Sequence, residues 1–213
     1  MPVKAVFFDL GETLIDETRM WREWAAYMDV LEQTFMAALE AVIADGEHHH
    51  RAFERLRPGF DPKAAQRQRV ADGTRYLFEP RDLYPDARPC LTSLRQAGYF
   101  VGIAGNQSRD LLASMLALGL DADIITTSEH LGFDKPSPQF FEAMLAQSGF
   151  RAAEAAYVGD RVDNDILPAH EVGMVTVFIA RGPWGRIHAR QGQASQADIR
   201  IHALSELTTA LAR

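Results

Sequence analysis

Cysteine is nearly absent. Cys90 stands alone among 213 residues, which excludes a disulfide framework within the chain and a thiolate-rich zinc site and fits a reducing compartment. Positive charge is also short. The 22 basic residues face 29 acidic ones, leaving a formal charge of −7 with histidine neutral, and such a chain is poorly suited to displacing counterions from nucleic acid. No apolar run approaches the ~20 residues that span a bilayer. The apolar run after Met1-Pro2-Val3-Lys4 stops at Asp9, too short for a secretory signal and without a small-residue cleavage site. The expected setting is cytoplasmic, with neither nucleic acid nor membrane as partner. The remaining composition, 47% hydrophobic and 24% charged, is that of a globular chain able to build a sizeable core, either as one domain or as one domain with an insert.

Residues Val3 to Phe8 read as a strand buried on both faces, and Asp9 and Gly11 follow it. A carboxylate at the C-terminal end of a buried strand stands where ligands bind in open parallel sheets. From Glu17 to Asp45 the apolar residues Met20, Trp21, Trp24, Tyr27, Met28, Leu31, Phe35, Leu39 and Val42 recur every three or four positions, which predicts one long helix. Arg51 to Phe78 reads as helical too, interrupted at Pro58-Gly59 and restarted with Asp61 as cap and Pro62 in the first turn. After Pro80 strands and helices alternate. Strands are expected at Tyr99–Ala104, Ile124-Ile125, Ala155–Val158, Val175–Ile179 and Ile199–His202, with a polar, mobile loop at Gln191–Ala197. The fold class is therefore α/β, a Rossmann-like parallel sheet with helices on both faces. The expected division is a core of residues 1–15 and 81–213, with 16–80 as an all-helical insertion.

Polar groups cluster after the apolar strands: Asp9-Leu10-Gly11-Glu12-Thr13, Ala104-Gly105-Asn106, Asp134-Lys135-Pro136, and Gly159-Asp160 with Asp165 beyond. Parallel strands would gather the first, second and fourth clusters at one edge, with Lys135 arriving from a neighbouring loop. Three carboxylates around a lysine suit a hard cation and an anionic substrate held together.

In order and spacing, Phe8-Asp9-Leu10-Gly11-Glu12-Thr13-Leu14, Lys135-Pro136-Ser137-Pro138, and Val158-Gly159-Asp160 through Asp165-Ile166 resemble the motifs of the haloacid dehalogenase (HAD) superfamily, over nearly the whole chain. The helical insert resembles that family's cap, of the type placed after the first motif. The resemblance implies a Mg2+-dependent phosphatase acting on a small phosphorylated metabolite, as a monomer or homodimer. Asp9 would be the nucleophile, forming an aspartyl-phosphate. Asp9, the carbonyl of Gly11 and Asp160 would hold the metal, with Asp165 either a ligand or a partner behind the ligands, and Lys135 would offset charge on Asp9 and the phosphate. Thr13 and the amides near Gly105 and Asn106 would complete the phosphate cradle.

Two positions depart from the family pattern. The second aspartate, which protonates the leaving group, is Gly11, and the serine or threonine before Asn106 is Gly105. Three readings of Gly11 stay open: Glu12 swings in as the missing acid, a cap residue or the substrate supplies the proton, or the enzyme is slow or specialised for good leaving groups. A 2-haloacid dehalogenase, which also lacks the second aspartate, and a catalytically impaired phosphate-binding protein are the alternatives. A phosphonate-cleaving enzyme would use a cap lysine, and residues 16–80 contain only Lys63.

Other residues read as structural. Consecutive histidines on a helix fan around its axis, so His48, His49 and His50 are expected at a solvated loop or helix end rather than around an ion. Trp21, Trp24 and Tyr27 are expected in the core of the helical insert, and Asp163 and Asn164 as capping or solvated residues, with Asn164 also a candidate donor behind the metal ligands. Arg161 and Arg181–Gly185 are open to either a structural or a substrate-facing role. Ser108 and His170 lack the nucleophile elbow of a serine hydrolase.

Overall fold

A computed structural model describes residues 2–212 of the chain. Six strands, β1 (Ala5–Phe8), β2 (Phe100–Gly105), β3 (Ile124–Thr127), β4 (Ala155–Gly159), β5 (Val175–Ile179) and β6 (Ile199–Ile201), form one sheet in the order β3-β2-β1-β4-β5-β6. Every pairing is parallel. This is the doubly wound α/β arrangement expected from the alternation. Its strand order reverses between β1 and β4, the switch point where such sheets open a crevice at their carboxyl edge. All four residues of β1 are wholly buried, as a strand covered on both faces requires. On one face Phe7 and Tyr157 pack with Phe140, Phe141 and Met144.

The chain divides into two compact units, one made of Glu17–Leu77 and the other of the residues up to Asp16 and from Phe78 onward. The first has four helices, α1 (Thr18–Tyr27), α2 (Glu32–Ala44), α3 (His50–Leu56) and α4 (Pro62–Ala71). Its core is aromatic: Trp21 stacks on Phe35 at 5.9 Å, and Phe53 meets Trp24 at 5.0 Å and Phe35 at 5.2 Å. The buried Arg69 guanidinium lies over Trp24 at 4.8 Å and pairs with Glu23 at 2.8 Å. Asp61 caps α4, its Oδ1 accepting from the amides of Lys63 (2.9 Å) and Ala64 (3.1 Å).

The single helix expected over Glu17–Asp45 is two. Asp29 takes a left-handed φ of 54°, which Asp tolerates better than most residues. The Val30 amide reaches back to the Ala25 carbonyl at 3.0 Å, so α1 ends in a Schellman-type turn. The other unit carries α5 (Ala87–Gln96), α6 (Leu112–Ala117), α7 (Ser128–Leu131), α8 (Pro138–Ser148), α9 (Leu167–Glu171), α10 (Gly182–Arg190) and α11 (Leu207–Leu211). The reading of the sequence does not anticipate α10, because Gly182-Pro183 and Gly185 look like a loop. Pro183 instead occupies the first turn, where its missing N–H costs nothing. The stretch expected as a loop at Gln191–Ala197 contains a 3-10 turn at Gln193–Gln196. Among the described residues no helix is long and apolar enough to cross a membrane.

Candidate active site

Asp9 leaves the end of β1 and Asp160 the end of β4, adjacent strands on either side of the switch point. Asp165 returns to the same place from the wide helical turn Val162–Ile166 that follows β4. One carboxylate oxygen from each of Asp9, Asp160 and Asp165 lies within 4.8 Å of the other two. Lys135 arrives from the loop before α8, and its ammonium donates to Asp9 Oδ1 at 2.7 Å and to Asp165 Oδ1 at 2.6 Å. Its side chain is 1% exposed, walled by the rings of Tyr157 at 5.3 Å and Phe140 at 5.8 Å.

The lysine is held at its backbone. Asn106, just beyond β2, accepts the Lys135 amide at 2.7 Å and donates to the Lys135 carbonyl at 2.8 Å. The Asn106 side chain thereby clamps the Lys135 backbone through both its amide oxygen and its amide nitrogen. A turn closed by the Ser137 amide on the Asp134 carbonyl follows. Gly105 explains itself by contact: a Cβ there would lie 2.6 Å from Asp9 Oδ1. Asp165 is fixed on its second oxygen by the Arg161 amide at 3.0 Å, and Asn164 donates to its first at 3.3 Å. The Val162 amide is taken by Nδ1 of the buried His188 at 3.1 Å.

The electrostatics are those of a buried group short of cations. Burial pushes Asp160 well above the ordinary carboxylate range, with Asp165 and Asp9 adding to the push. Burial also raises Asp9, while Lys135 pulls it back. Burial alone would lower Lys135, but Asp165 and Asp9 hold its ammonium well above the usual lysine value. With all four groups charged, three carboxylates face one ammonium, a deficit of two positive charges. Asp160 Oδ2 is buried without a hydrogen-bond partner, and so is Thr13 Oγ1 in the loop after Asp9. Such orphans are costly unless a ligand completes them. An all-oxygen donor set missing two charges fits Mg2+, which binds through one or two carboxylates and keeps room for water and phosphate.

Gly11 lies between Leu10, whose carbonyl accepts the amides of Leu14 and Ile15, and Glu12, whose amide donates to Ile15. Glu12, not Gly11, has the left-handed backbone, with φ 52°. Its carboxylate accepts the Tyr84 hydroxyl at 2.6 Å, and its side chain fills a slot that a Cβ on Gly182 would close, since that atom would come within 2.6 Å. Arg181 braces the arrangement. It pairs bidentately with Asp86 at 2.7 and 3.0 Å, lies 4.3 Å over the Tyr84 ring, and donates to the Thr13 carbonyl at 3.3 Å. Arg161 turns to Asp163 at 2.6 Å and to the Trp184 ring at 5.0 Å. Tyr84, Asp86 and His188 escape the reading of the sequence because their partners are remote along the chain; Tyr84 and Glu12 are 72 positions apart. Beside Asn106 a cleft of about 520 Å³ opens, lined by Gln107, Ser108, Glu129 and Asp134 among others.

The family model of haloacid dehalogenase-like hydrolases matches residues 3–173. The glyceraldehyde 3-phosphate phosphatase of Methanopyrus kandleri is 31% identical, with 88% of each chain covered. The enzyme of the same name from Methanocaldococcus jannaschii is 29% identical over 96% of this chain and 95% of its own. Among solved structures, the HAD-hydrolase YfnB of Bacillus subtilis, determined with magnesium, superposes with a TM-score of 0.67 at 18% identity, covering 99% of both chains. At that identity the likeness speaks to the fold.

Proposed function

This chain belongs to the haloacid dehalogenase-like hydrolases, and we propose that it is a Mg2+-dependent phosphatase that cleaves a small phosphorylated metabolite through a phosphorylated Asp9. The observation that carries the proposal is the buried group of Asp9, Asp160 and Asp165 around Lys135, two positive charges short and with Asp160 Oδ2 unpartnered. The similarity to curated phosphatases supports the substrate class. The helical unit Glu17–Leu77 would serve as the cap.

Asp9, Asp160, Asp165 and the Gly11 carbonyl would hold the ion. When bound, Mg2+ supplies charge to the phosphoryl oxygens and orients them for in-line displacement. The Asp9 carboxylate forms a bond to phosphorus as the ester P–O bond breaks and the leaving oxygen departs with its electron pair. Lys135 keeps Asp9 ionised and aligned. Thr13 Oγ1 and the Asn106 amide receive phosphoryl oxygens. Water then attacks phosphorus, the bond to Asp9 breaks, and inorganic phosphate and the free carboxylate are regenerated. Asn106, Asn164, Arg161 and His188 act through the groups they hold.

No carboxylate stands two residues after Asp9 to protonate the leaving oxygen. Substrates whose leaving group needs little protonation, aryl or acyl phosphates, are therefore favoured over alkyl phosphates. Gly11 also suits the second reading, a 2-haloacid dehalogenase, but displacing halide needs no cation, and the three-carboxylate group counts against it. A panel of phosphate esters with Mg2+, run beside Asp9→Asn, tests the proposal. Turnover that vanishes in Asp9→Asn and on EDTA treatment is expected. Halide release that survives EDTA, without phosphate release, would replace it with the second reading.

A further inference from the structure

The three consecutive histidines play no part in the chemistry above. The expectation that they cannot share an ion assumes that all three ride on a helix, and the backbone does not meet that condition. α3 begins only at His50, and His48 and His49 lie in the turn leading into it. That turn folds the rings together instead of fanning them out. Ring centroids are 4.3 Å apart for His48 and His49, and 4.5 Å for each of the other two pairs. One ring nitrogen of each histidine lies within 4.8 Å of the other two. Two of the rings are seated on the core of the helical unit: His49 stands edge-on to Trp21 at 6.2 Å and His50 to Phe53 at 6.3 Å.

We propose that His48, His49 and His50 form a second cation site, selective for a late first-row divalent ion such as Zn2+. Imidazole nitrogens suit Zn2+, Ni2+ and Cu2+, whereas Mg2+ prefers the carboxylates of the other group. With metal–nitrogen bonds of ~2.0–2.1 Å, tetrahedral ligation sets ligand nitrogens ~3.3 Å apart. The present spacing reaches that by small side-chain rotations, for which the exposed side of His48 offers room. Nδ1 of His48 now accepts a long, exposed bond of 3.2 Å from the His50 amide. Exchanging that bond for a metal loses little, because water can take the amide. The neighbouring acids are engaged elsewhere: Arg55 holds Asp45 at 2.7 Å and Glu47 at 3.0 Å, and Asp61, which faces His50, caps α4. The donor set is therefore three nitrogens, with the fourth position left to water.

The test uses the intact protein in excess Mg2+, which fills the carboxylate group, and titrates it with Co2+ followed by displacement with Zn2+. One equivalent of Co2+ with the visible bands of nitrogen ligation, displaced by Zn2+, is expected. His48→Gln should weaken binding about 100-fold or more, because losing even a residue behind a metal ligand costs ~10–100-fold. His48→Lys, which places an ammonium at the site, should abolish it. Both variants alter an exposed residue and should keep the wild-type circular dichroism and phosphatase activity. Absence of Co2+ binding by the wild type, or binding that survives both substitutions, overturns the proposal.

Discussion

Replacing Gly11 with aspartate puts a carboxyl where the leaving oxygen needs a proton. Among the described residues Gly11 is not one of those with left-handed φ, so an aspartate there meets no backbone strain. Glu12 is no substitute: its carboxylate is tied to the Tyr84 hydroxyl at 2.6 Å and wedged against Gly182. A positioned general acid contributes ~10²–10⁴-fold, equivalent to ~3–5 kcal/mol of barrier. Gly11→Asp should therefore raise kcat/KM on a sugar phosphate by about 10²-fold or more, while leaving nitrophenyl phosphate, whose leaving group departs unprotonated, within a few-fold of wild type. The assay is the ratio of the two rates before and after substitution, at saturating Mg2+. Glu12→Gln is the control. It keeps an acceptor for Tyr84, so the ratio should hold in that variant. A ratio unchanged by Gly11→Asp, or one that collapses in Glu12→Gln, refutes the reasoning and makes Glu12 or another group the acid.

Lys135→Met removes the one cation among three buried carboxylates. Activity should fall about 10²–10³-fold, and unfolding should become easier by ~3–5 kcal/mol, measured by denaturant titration with EDTA. Mg2+ should raise the melting temperature of the wild type, by the equivalent of ~2.7 kcal/mol at a hundred times its Kd. That gain should vanish in Asp160→Asn, as thermal scans with and without EDTA would reveal. His188 is buried and its pKa is depressed, chiefly by desolvation. A depressed pKa means that its contribution to stability is complete above the ordinary imidazole value of ~6.5 and is lost as pH falls below it. His188→Asn, whose amide oxygen can still accept the Val162 amide, should flatten that decline in unfolding free energy between neutral pH and pH 5.

Much of this architecture is written locally. β1 is an unbroken apolar run bounded by Lys4 and Asp9, and Asp61-Pro62 announces α4 by cap chemistry alone. The break at Asp29 is hidden, because Met28 and Leu31 continue the apolar stripe in phase while the backbone turns between them. α10 is hidden because Gly182-Pro183 and Gly185 carry the chemistry of a turn, and only contacts with the rest of the fold make a helix of them. Asp9 and Asp160 could be nominated from their places after strands, and Asp165 and Lys135 from the motifs that carry the family resemblance, since Lys135 follows α7 and not a strand. The clamp of Asn106 on the Lys135 backbone could not, since asparagine spacing carries no signal for a pairing 29 residues away. The histidine triplet falls at the loop and helix end expected of it, but α3 begins only at His50, so the rule that consecutive helical side chains fan apart does not govern all three rings.

The slot between Tyr84 and Gly182 ties the fate of three distant positions together. Glu12 tolerates its left-handed backbone because a hydroxyl waits at one end and bare glycine lies along its side. A methyl group at 182 would evict the glutamate, leaving Tyr84 with a buried hydroxyl and no acceptor. If Glu12 became glycine, the collision would vanish, and only the strain of a side chain at the left-handed φ of 65° would remain. Substitutions here are thus epistatic: how much harm alanine does at 182 depends on a residue 170 positions earlier in the chain.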